Sequence, residues 1–389
     1  MVQLIQTMLK RVSIQNFKSL KDVTLDLQKV NLLIGPNNSG KTNFLKALRI
    51  PYETYQDVMV QGEEPLPIFR NIEPKKQRGE FMLPISSIYN KLSTKSISIT
   101  LTFDYISRNY TSEHFLFYAY QNTGQYVLDV LSDDKRTVDV NTFRHIDYEY
   151  DVKRSMSTLF RYLGICTIYK PDPNKFIKPT DFSADTIGLL GDCSNLIQFL
   201  FYLNANYKRA YQQIEKDLAK CIGDIVSLST PPVKVGSESK LGLKFFGEND
   251  EDFWAEDVSE GVLYFLALLT IINQPNPPKL LLLEEPEKGI HPRRIYEVIQ
   301  FILGLADDKD IQVIMTTHSP IVLDMFKDMT ESVFIFDKDE EGATHVKNLQ
   351  RDVIEPDEEE SKRLGIEPPH YTDSLGSSWT VGFLGGVPK

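Results

Sequence analysis

The sequence predicts an α/β protein, with a mixed sheet around a glycine-rich loop, an antiparallel β section and a helical insertion. Three observations carry this. Short, nearly all-apolar runs, "PKLLLLEE", "IQVIMTTHSP" and "SVFIFDKD", recur toward the C-terminus, with a helical stretch between the first two. Runs of that kind are strands buried on both faces of a largely parallel sheet. About the first 140 residues instead alternate apolar and polar side chains, the period of half-buried strands. From Asp151 to Ile225 the period shifts to that of helices.

The elements follow in order. "RVSIQNF", "DVTLDL" and "VNLLIG" read as three strands, and a helix pattern follows Thr42 through "NFLKALRI". A loop rich in Pro, Gly and charge spans Glu53 to Arg78. Alternation returns in "SISITLTFDY", "HFLFYAY" and "YVLDVLSD", a meander-like section. "NLIQFLFYLNANYKRAYQQIEKDLAKCIGDI" holds one long helix or two. A strand pair is expected near Val233 to Phe246, then a helix from near Ser259 through "GVLYFLALLTII". "RRIYEVIQFILGLA" is an amphipathic helix. These divide the chain into an N-terminal lobe, 1–140, a helical insertion, 141–230, a C-terminal lobe, 231–350, and an acidic, then glycine- and aromatic-rich tail, 351–389, whose acidic run, Asp357 to Glu360, reads as solvated.

Composition narrows the classes. The 389 residues are 41% hydrophobic and 25% charged, enough chain for two or three packed units. An aromatic content of 11% argues against widespread disorder. No apolar run approaches the ~20 residues that span a bilayer. The opening "MVQLIQTMLKRVSIQNF" has scattered hydrophobes rather than a signal-peptide core, so a cytoplasmic protein without membrane contact is expected. Cys166, Cys193 and Cys221 lack paired metal-type spacing and read as reduced, structural thiols. A net charge of −11 gives no sign of general nucleic-acid affinity. "KRAYQQIEKDLAK" and "EPKKQRGE" are candidate basic surfaces, although clusters of that kind are usually solvated faces.

"GPNNSGKT", Gly35 to Thr42, fits G-x-x-x-x-G-K-[ST], follows the strand "VNLLI" and opens a helix. Glycines let backbone N–H groups turn toward phosphates, Lys41 neutralises the β- and γ-phosphates, and Thr42 ligates Mg²⁺. The nucleotide contacts expected here are Gly35, Pro36, Asn37, Asn38, Ser39, Gly40, Lys41, Thr42 and Asn43. The bland alternative, a glycine-rich turn with a chance lysine, does not account for strand, loop and helix agreeing.

A phosphate loop needs acids on a neighbouring strand. "LLLLEE" supplies Glu284, the metal-side candidate acting through a water, and Glu285, the candidate for polarising the attacking water. Alone, the pair could be a solvated strand end; beside a phosphate loop it is a catalytic pair. "IMTTHSP" puts His318 at another strand end, within reach of a γ-phosphate, where a lone histidine would otherwise be a satisfied core or surface group. "DVSEG" puts Ser259 at a helix start with Gly261 two residues on. Ser259 is at least an N-cap, and a capped helix start is also an anion site. It reaches a phosphate on a second subunit more readily than one on its own cradle.

This set resembles the ABC-type ATPase heads of the SMC, RecF and OLD group, and the resemblance runs over nearly the whole chain. Gly35 to Thr42 match its phosphate loop, Ser259 in "VSEG" its signature serine, Glu284 and Glu285 its second carboxylate motif, and His318 its switch histidine. "NFKS", Asn16 to Ser19, is similar to the early "N-F-[KR]-S", which implies that Lys18 lies near the nucleotide. "EEPEKGIHP" is similar to the "EEPENGLHP" of compact bacterial members. Glu284 stands where many ABC proteins have aspartate, and Glu260 replaces a signature glycine. Gln77 is the one position offered for the family's Q-loop glutamine.

The resemblance implies ATP and Mg²⁺ as cofactors and ATP sandwiched between two copies of the chain, as a homodimer or higher homo-oligomer. It is closest to compact OLD-like ATPases, and "WTVGFLGGVP" looks like the ending of members paired with a separate Toprim-like or other nuclease in anti-phage defence. That implies a sensor and scaffold responding to a nucleic acid or phage trigger. Two other classes compete. A RecF-like repair ATPase needs a basic stripe for duplex DNA. A self-contained OLD-like nuclease needs a further acid cluster for metals, and about 70 residues after His318 are few for a Toprim domain.

Overall fold

The computed structural model describes residues 8–59, 97–104, 112–119, 126–132, 167–182, 188–249 and 251–386. Gln77, Cys166 and the stretch "EPKKQRGE" lie outside the described residues.

A six-stranded sheet carries the site. Its strands are β3 (Val30–Ile34), β7 (Ile168–Tyr169), β13 (Leu280–Glu284), β14 (Gln312–Thr316), β15 (Val333–Lys338) and β16 (Thr344–Asn348), in the order β16-β15-β3-β14-β13-β7. All neighbours pair in parallel except β15 and β16. The period-2 geometry of strands explains the unbroken apolar runs. Leu281 and Leu283 of β13 join a core on one face, while Leu280 and Leu282 join a second core on the other. Val313 and Met315 divide from Ile314 in the same way on β14.

The second core is closed by α1 (Lys41–Met59) and by an antiparallel sheet, β2-β1-β4-β5-β6, built from β1 (Met8–Phe17), β2 (Leu20–Asp26), β4 (Ile97–Asp104), β5 (Ser112–Ala119) and β6 (Tyr126–Ser132). This is the predicted antiparallel section, a hairpin β1-β2 set beside a meander β4-β5-β6. Helix α1 continues through Pro51 to Met59, where the sequence predicted loop from Glu53. A proline inside a helix removes one backbone donor, and here it does not end the helix.

The other core receives the helices. The predicted helical insertion contains α2 (Pro173–Phe176), α3 (Leu196–Asn206) and α4 (Lys208–Cys221), so the long helical run is two helices, parted at Tyr207 with φ −133 and ψ 57. Short strands follow, β8 (Ser227–Ser229), β9 (Pro232–Val235), β10 (Glu238–Leu241), β11 (Lys244–Phe246) and β12 (Asp252–Trp254). Helix α5 (Glu260–Asn273) is apolar around its circumference and buried almost throughout, as such helices must be. The amphipathic α6 (Pro292–Asp308) buries Ile295, Val298, Ile299 and Ile302. Cys193 is a buried free thiol, its pKa pushed up chiefly by that burial, and Cys221 is free and exposed.

The C-terminal segment is folded rather than a solvated tail. The acidic run lies on α8 (Glu355–Leu364), with Glu355, Asp357 and Glu358 in the first turn and Lys362 and Arg363 in the last. That charge order complements the helix dipole, and Gly365 ends the helix at φ +67. Glu358, Glu359 and Glu360 are exposed, as predicted for them. After α7 (Pro320–Asp324), the chain returns to it through α9 (Leu375–Thr380): Gly376 N donates to Asp324 Oδ1 at 2.8 Å. Trp379 is buried and its indole donates to Gly386 O at 3.1 Å. The aromatic ending therefore docks on its own body, leaving Val381 and Phe383 exposed.

Candidate functional site

The loop between β3 and α1 is a tight cradle. Gly35 has φ +141, and a Cβ there would sit 2.1 Å from Phe336 O. Gly40 has φ +111, and a Cβ there would sit 2.3 Å from Thr344 Oγ1. No other residue type fits either position without displacing backbone or a packed side chain. Asn37 and Asn38 are exposed at the rim, where Lys338 donates to Asn38 Oδ1 at 3.2 Å. Lys41 is buried under the loop, its ammonium donating to Gly35 O (2.7 Å) and Pro36 O (2.9 Å) and lying 3.4 Å from Ser39 Oγ. Burial lowers its pKa to about 8, against the opposing pull of Glu285, Glu284 and Glu287.

Strand order brings the acids to this cradle. Only β14 separates β3 from β13, and Thr316 pairs with Leu33 on one side and Glu284 on the other. Thr42 Oγ1 donates to Glu284 Oε1 at 2.8 Å. Glu285 turns out of the strand at φ +49, its N–H donating to Thr316 O (3.1 Å) and lying 3.2 Å from Thr316 Oγ1. A left-handed conformation is costly for a glutamate and concentrates at functional positions. His318 Nε2 lies 3.5 Å from Glu285 Oε1. Burial, then Lys41, lower the His318 pKa, so the ring is neutral near pH 7.

Two residues that sequence reasoning did not select belong to this cluster. Glu287 is 9% exposed; its Oε1 accepts from Thr317 Oγ1 (2.6 Å) and His318 N (3.2 Å), and its Oε2 has no hydrogen-bond partner among the described residues. Burial raises its pKa. It fixes the backbone that carries His318. Lys170, just past β7, places Nζ 3.0 Å from Glu285 Oε2 and 3.8 Å from Glu284 Oε1. "EEPE" was a visible signal for Glu287; a two-residue strand gave none for Lys170.

The remaining expected residues sit apart or act indirectly. Lys18 and Ser19 form the two-residue turn between β1 and β2, Lys18 with φ +51 and its ammonium 5.4 Å from the Phe17 ring centroid. Burial, then Lys46, lower its pKa. Ser19 fastens this turn to the cradle: its Oγ accepts from Asn43 Nδ2 (3.0 Å) and Thr344 Oγ1 (2.8 Å). Asn43 thus spends its amide on Ser19. Ser259 caps α5, its Oγ accepting from Val262 N at 3.5 Å. Ser259 and the buried Gly261 open on a cavity of about 330 Å³ shared with His291, Arg293 and Arg294. No cradle residue lines it.

Mg²⁺ and a nucleoside triphosphate fit these residues. The loop at Gly35 and Gly40 excludes side chains, and its cation lies folded onto its own carbonyls. Thr42 and Glu284 offer hard oxygen donors already in contact, the donor type that suits Mg²⁺. Among the described residues, no group of three His, Cys, Asp or Glu forms a protein-only metal cage. Mg²⁺ at nucleotide sites commonly uses one or two side chains plus phosphates and waters.

Known proteins resemble this chain in sequence and fold. The family model described as "AAA ATPase domain" matches residues 8–220, and a further AAA domain model matches 194–324. The OLD nuclease of Thermus scotoductus is 21% identical over 351 residues, covering 82% of this chain; the chain spans 60% of that protein's length. An ATP/GTP phosphatase of Helicobacter pylori is 23% identical over 336 residues, 80% of this chain and 85% of the relative. A solved SmcHead, bound in that structure to the C-winged helix domain of ScpA, shares the fold with TM-score 0.52 at 13% identity, covering 88% of this chain and 99% of that one. The chain belongs to the AAA ATPase domain family.

Proposed function

We propose that the protein is an ATP-driven switch: two copies close around ATP, and the closed pair controls a separate effector in anti-phage defence. The observation that carries the closing step is the split site. The cradle and the acids lie together, while Ser259 opens on a cavity that no cradle residue lines. A second copy supplies the missing serine and helix start to the terminal phosphate. Lys41 leaves its loop carbonyls for the β- and γ-phosphates. Thr42 and Glu284 would hold Mg²⁺, which would supply neutralisation of the phosphate charge. Glu285 orients the attacking water, and neutral His318 contacts the γ-phosphate. Loss of that phosphate removes the link between copies, so ADP favours opening.

Sedimentation of Glu285→Gln with ATP tests the closing step: the variant binds ATP, turns over slowly and accumulates as a pair. A strictly monomeric, fully active enzyme contradicts it. The likeness to an OLD nuclease supports a link to nucleic-acid cleavage, and we assign that chemistry to a separately encoded partner. Incubation of the pure chain with plasmid, linear duplex, single strands and tRNA, with ATP and Mg²⁺ or Mn²⁺, should give ATP hydrolysis without cleavage. Cleavage that is lost on mutating acids outside the ATP site would favour a self-contained nuclease instead.

A further inference from the structure

We propose that Lys170, delivered by the edge strand β7, is a positioning residue of the ATPase site that holds Glu285 in place for the attacking water. The inference rests on the role given to Glu285 above. Strand β7 pairs in parallel with β13, Ile168 opposite Leu282 and Tyr169 opposite Leu283. The next residue, Lys170, therefore emerges level with Glu284 at the carboxyl edge of the sheet.

Its backbone is pinned there. Lys170 N donates to Gly191 O at 2.7 Å. A Cβ on Gly191 would lie 2.6 Å from Ile168 O, so glycine is what lets this loop close over β7. From that base the ammonium bridges both acids, 3.0 Å from Glu285 Oε2 and 3.8 Å from Glu284 Oε1.

Glu285 needs such a hold. Its backbone is left-handed, and it is the last group before a turn. Lys288 also approaches Oε2, at 3.4 Å, but its side chain is 68% exposed and three residues away on the same turn. Exposed pairs of that kind contribute little. The Lys170 side chain is 39% exposed and comes from a different strand, so its charge-assisted bond fixes the carboxylate relative to the sheet. With Oε2 held by Lys170, Oε1 is the oxygen on the His318 side.

The test uses Lys170→Met and Lys170→Arg in the full chain, each alone and in the Glu285→Gln background. Steady-state turnover is measured, together with affinity for a fluorescent ATP analogue. Lys170→Met should lower kcat on the order of tenfold or more, the scale of a misplaced catalytic group, with analogue affinity within about twofold. Lys170→Arg should recover most of the loss, which also shows that the site tolerates substitution. In the Glu285→Gln background Lys170→Met should cause no further loss, since both act as one unit. Unchanged kcat for Lys170→Met overturns the proposal. So does an equal loss in both backgrounds, or a fall in analogue affinity matching the fall in kcat, which would make Lys170 a direct phosphate contact. Glu285→Gln turning over at the wild-type rate would instead overturn the role of Glu285 itself, whatever Lys170→Met does.

Discussion

The Thr42 hydroxyl donates a 2.8 Å hydrogen bond to Oε1 of Glu284, a residue 242 positions further along the chain. The contact crosses the end of β14 and joins the cradle to the acid-bearing strand. Both side chains needed for a metal on the phosphates are therefore in register beforehand. Glu284→Gln keeps the size and a carbonyl acceptor but removes the charge. We expect the Mg²⁺ concentration for half-maximal ATPase activity to rise about 10- to 100-fold, the usual cost of losing a residue that supports a metal through its water shell. Unchanged Mg²⁺ dependence would remove Glu284 from the metal site.

Lys41→Ala removes a buried ammonium that, among the described residues, bonds its own loop. A charge-assisted contact to phosphate is worth roughly 1.5–3 kcal/mol, at least about tenfold in affinity or turnover. Nucleotide titration and steady-state hydrolysis check this. Equal binding and hydrolysis in variant and wild type would mean that the loop is not a phosphate cradle.

The same lysine makes ATP binding depend on pH. In the free cradle, burial lowers the Lys41 pKa from 10.5 to about 8. A neighbouring phosphate favours the charged form and raises it again. Binding therefore takes up a proton above pH 8. Affinity should be flat below about pH 8 and fall beyond it, by at most about tenfold per unit. The folding sign agrees: the buried charge costs stability below about pH 8, and the cost is relieved between about 8 and 10.5, where the unfolded chain holds more protons. Nucleotide titrations between pH 7 and 9.5 give the slope, and an affinity that rises with pH contradicts the assignment.

Much of the site was legible because its signals are local. Eight consecutive residues specify the cradle, and an apolar run ending in two glutamates specifies the strand beside it. The fold class followed from the same runs, since "LLLL" must be buried on both faces. What escaped is non-local or conformational. Lys170 follows a strand of two residues, too short for any period, and gains its place through pairing with β13. Glu287 is in plain view in "EEPE", but its partner Thr317 lies 30 residues on. Ser19 stands in "NFKS" beside the charged Lys18, and its fastening contacts come from Asn43 and Thr344, 24 and 325 residues away. The left-handed turn at Glu285 has no sequence signal at all, since glutamate is an unfavourable choice there. The acidic run reads as solvated because no buried strand adjoins it in the sequence; the helix it forms depends on charge order and on Gly365.

Trp379 ties the C-terminal segment to the body. Its ring is buried, its indole bonds Gly386 O, and a Cβ on Gly386 would lie 2.5 Å from Ile335 Cγ2 and 3.7 Å from Gly35 Cα. Trp379→Ala should cost about 3–5 kcal/mol in denaturant unfolding, the range for a buried aromatic. Because Gly386 lies against the first cradle glycine, nucleotide affinity should weaken too. Phe383→Ser, at a side chain 73% exposed, should stay within about 0.5 kcal/mol of wild type. Equal stability of Trp379→Ala and wild type would show that the segment does not pack as described.

If each ATP site takes its cradle from one copy and its serine from another, two inactive variants can complement each other. Lys41→Ala destroys the cradle and leaves Ser259 intact. Ser259→Arg fills the exposed cap of α5 with a bulky side chain and leaves the cradle intact. Either alone has no complete site. In a mixed pair, the cradle of the Ser259→Arg copy faces the serine of the Lys41→Ala copy, and that one site is whole. The other carries both lesions. Co-expression with two different tags and purification over both isolates mixed pairs, whose turnover should be about half that of wild type, one intact site of two in a symmetric dimer. A site built within one chain gives the opposite result: every copy carries one lesion in its own site, and the mixed pair stays as inactive as either parent.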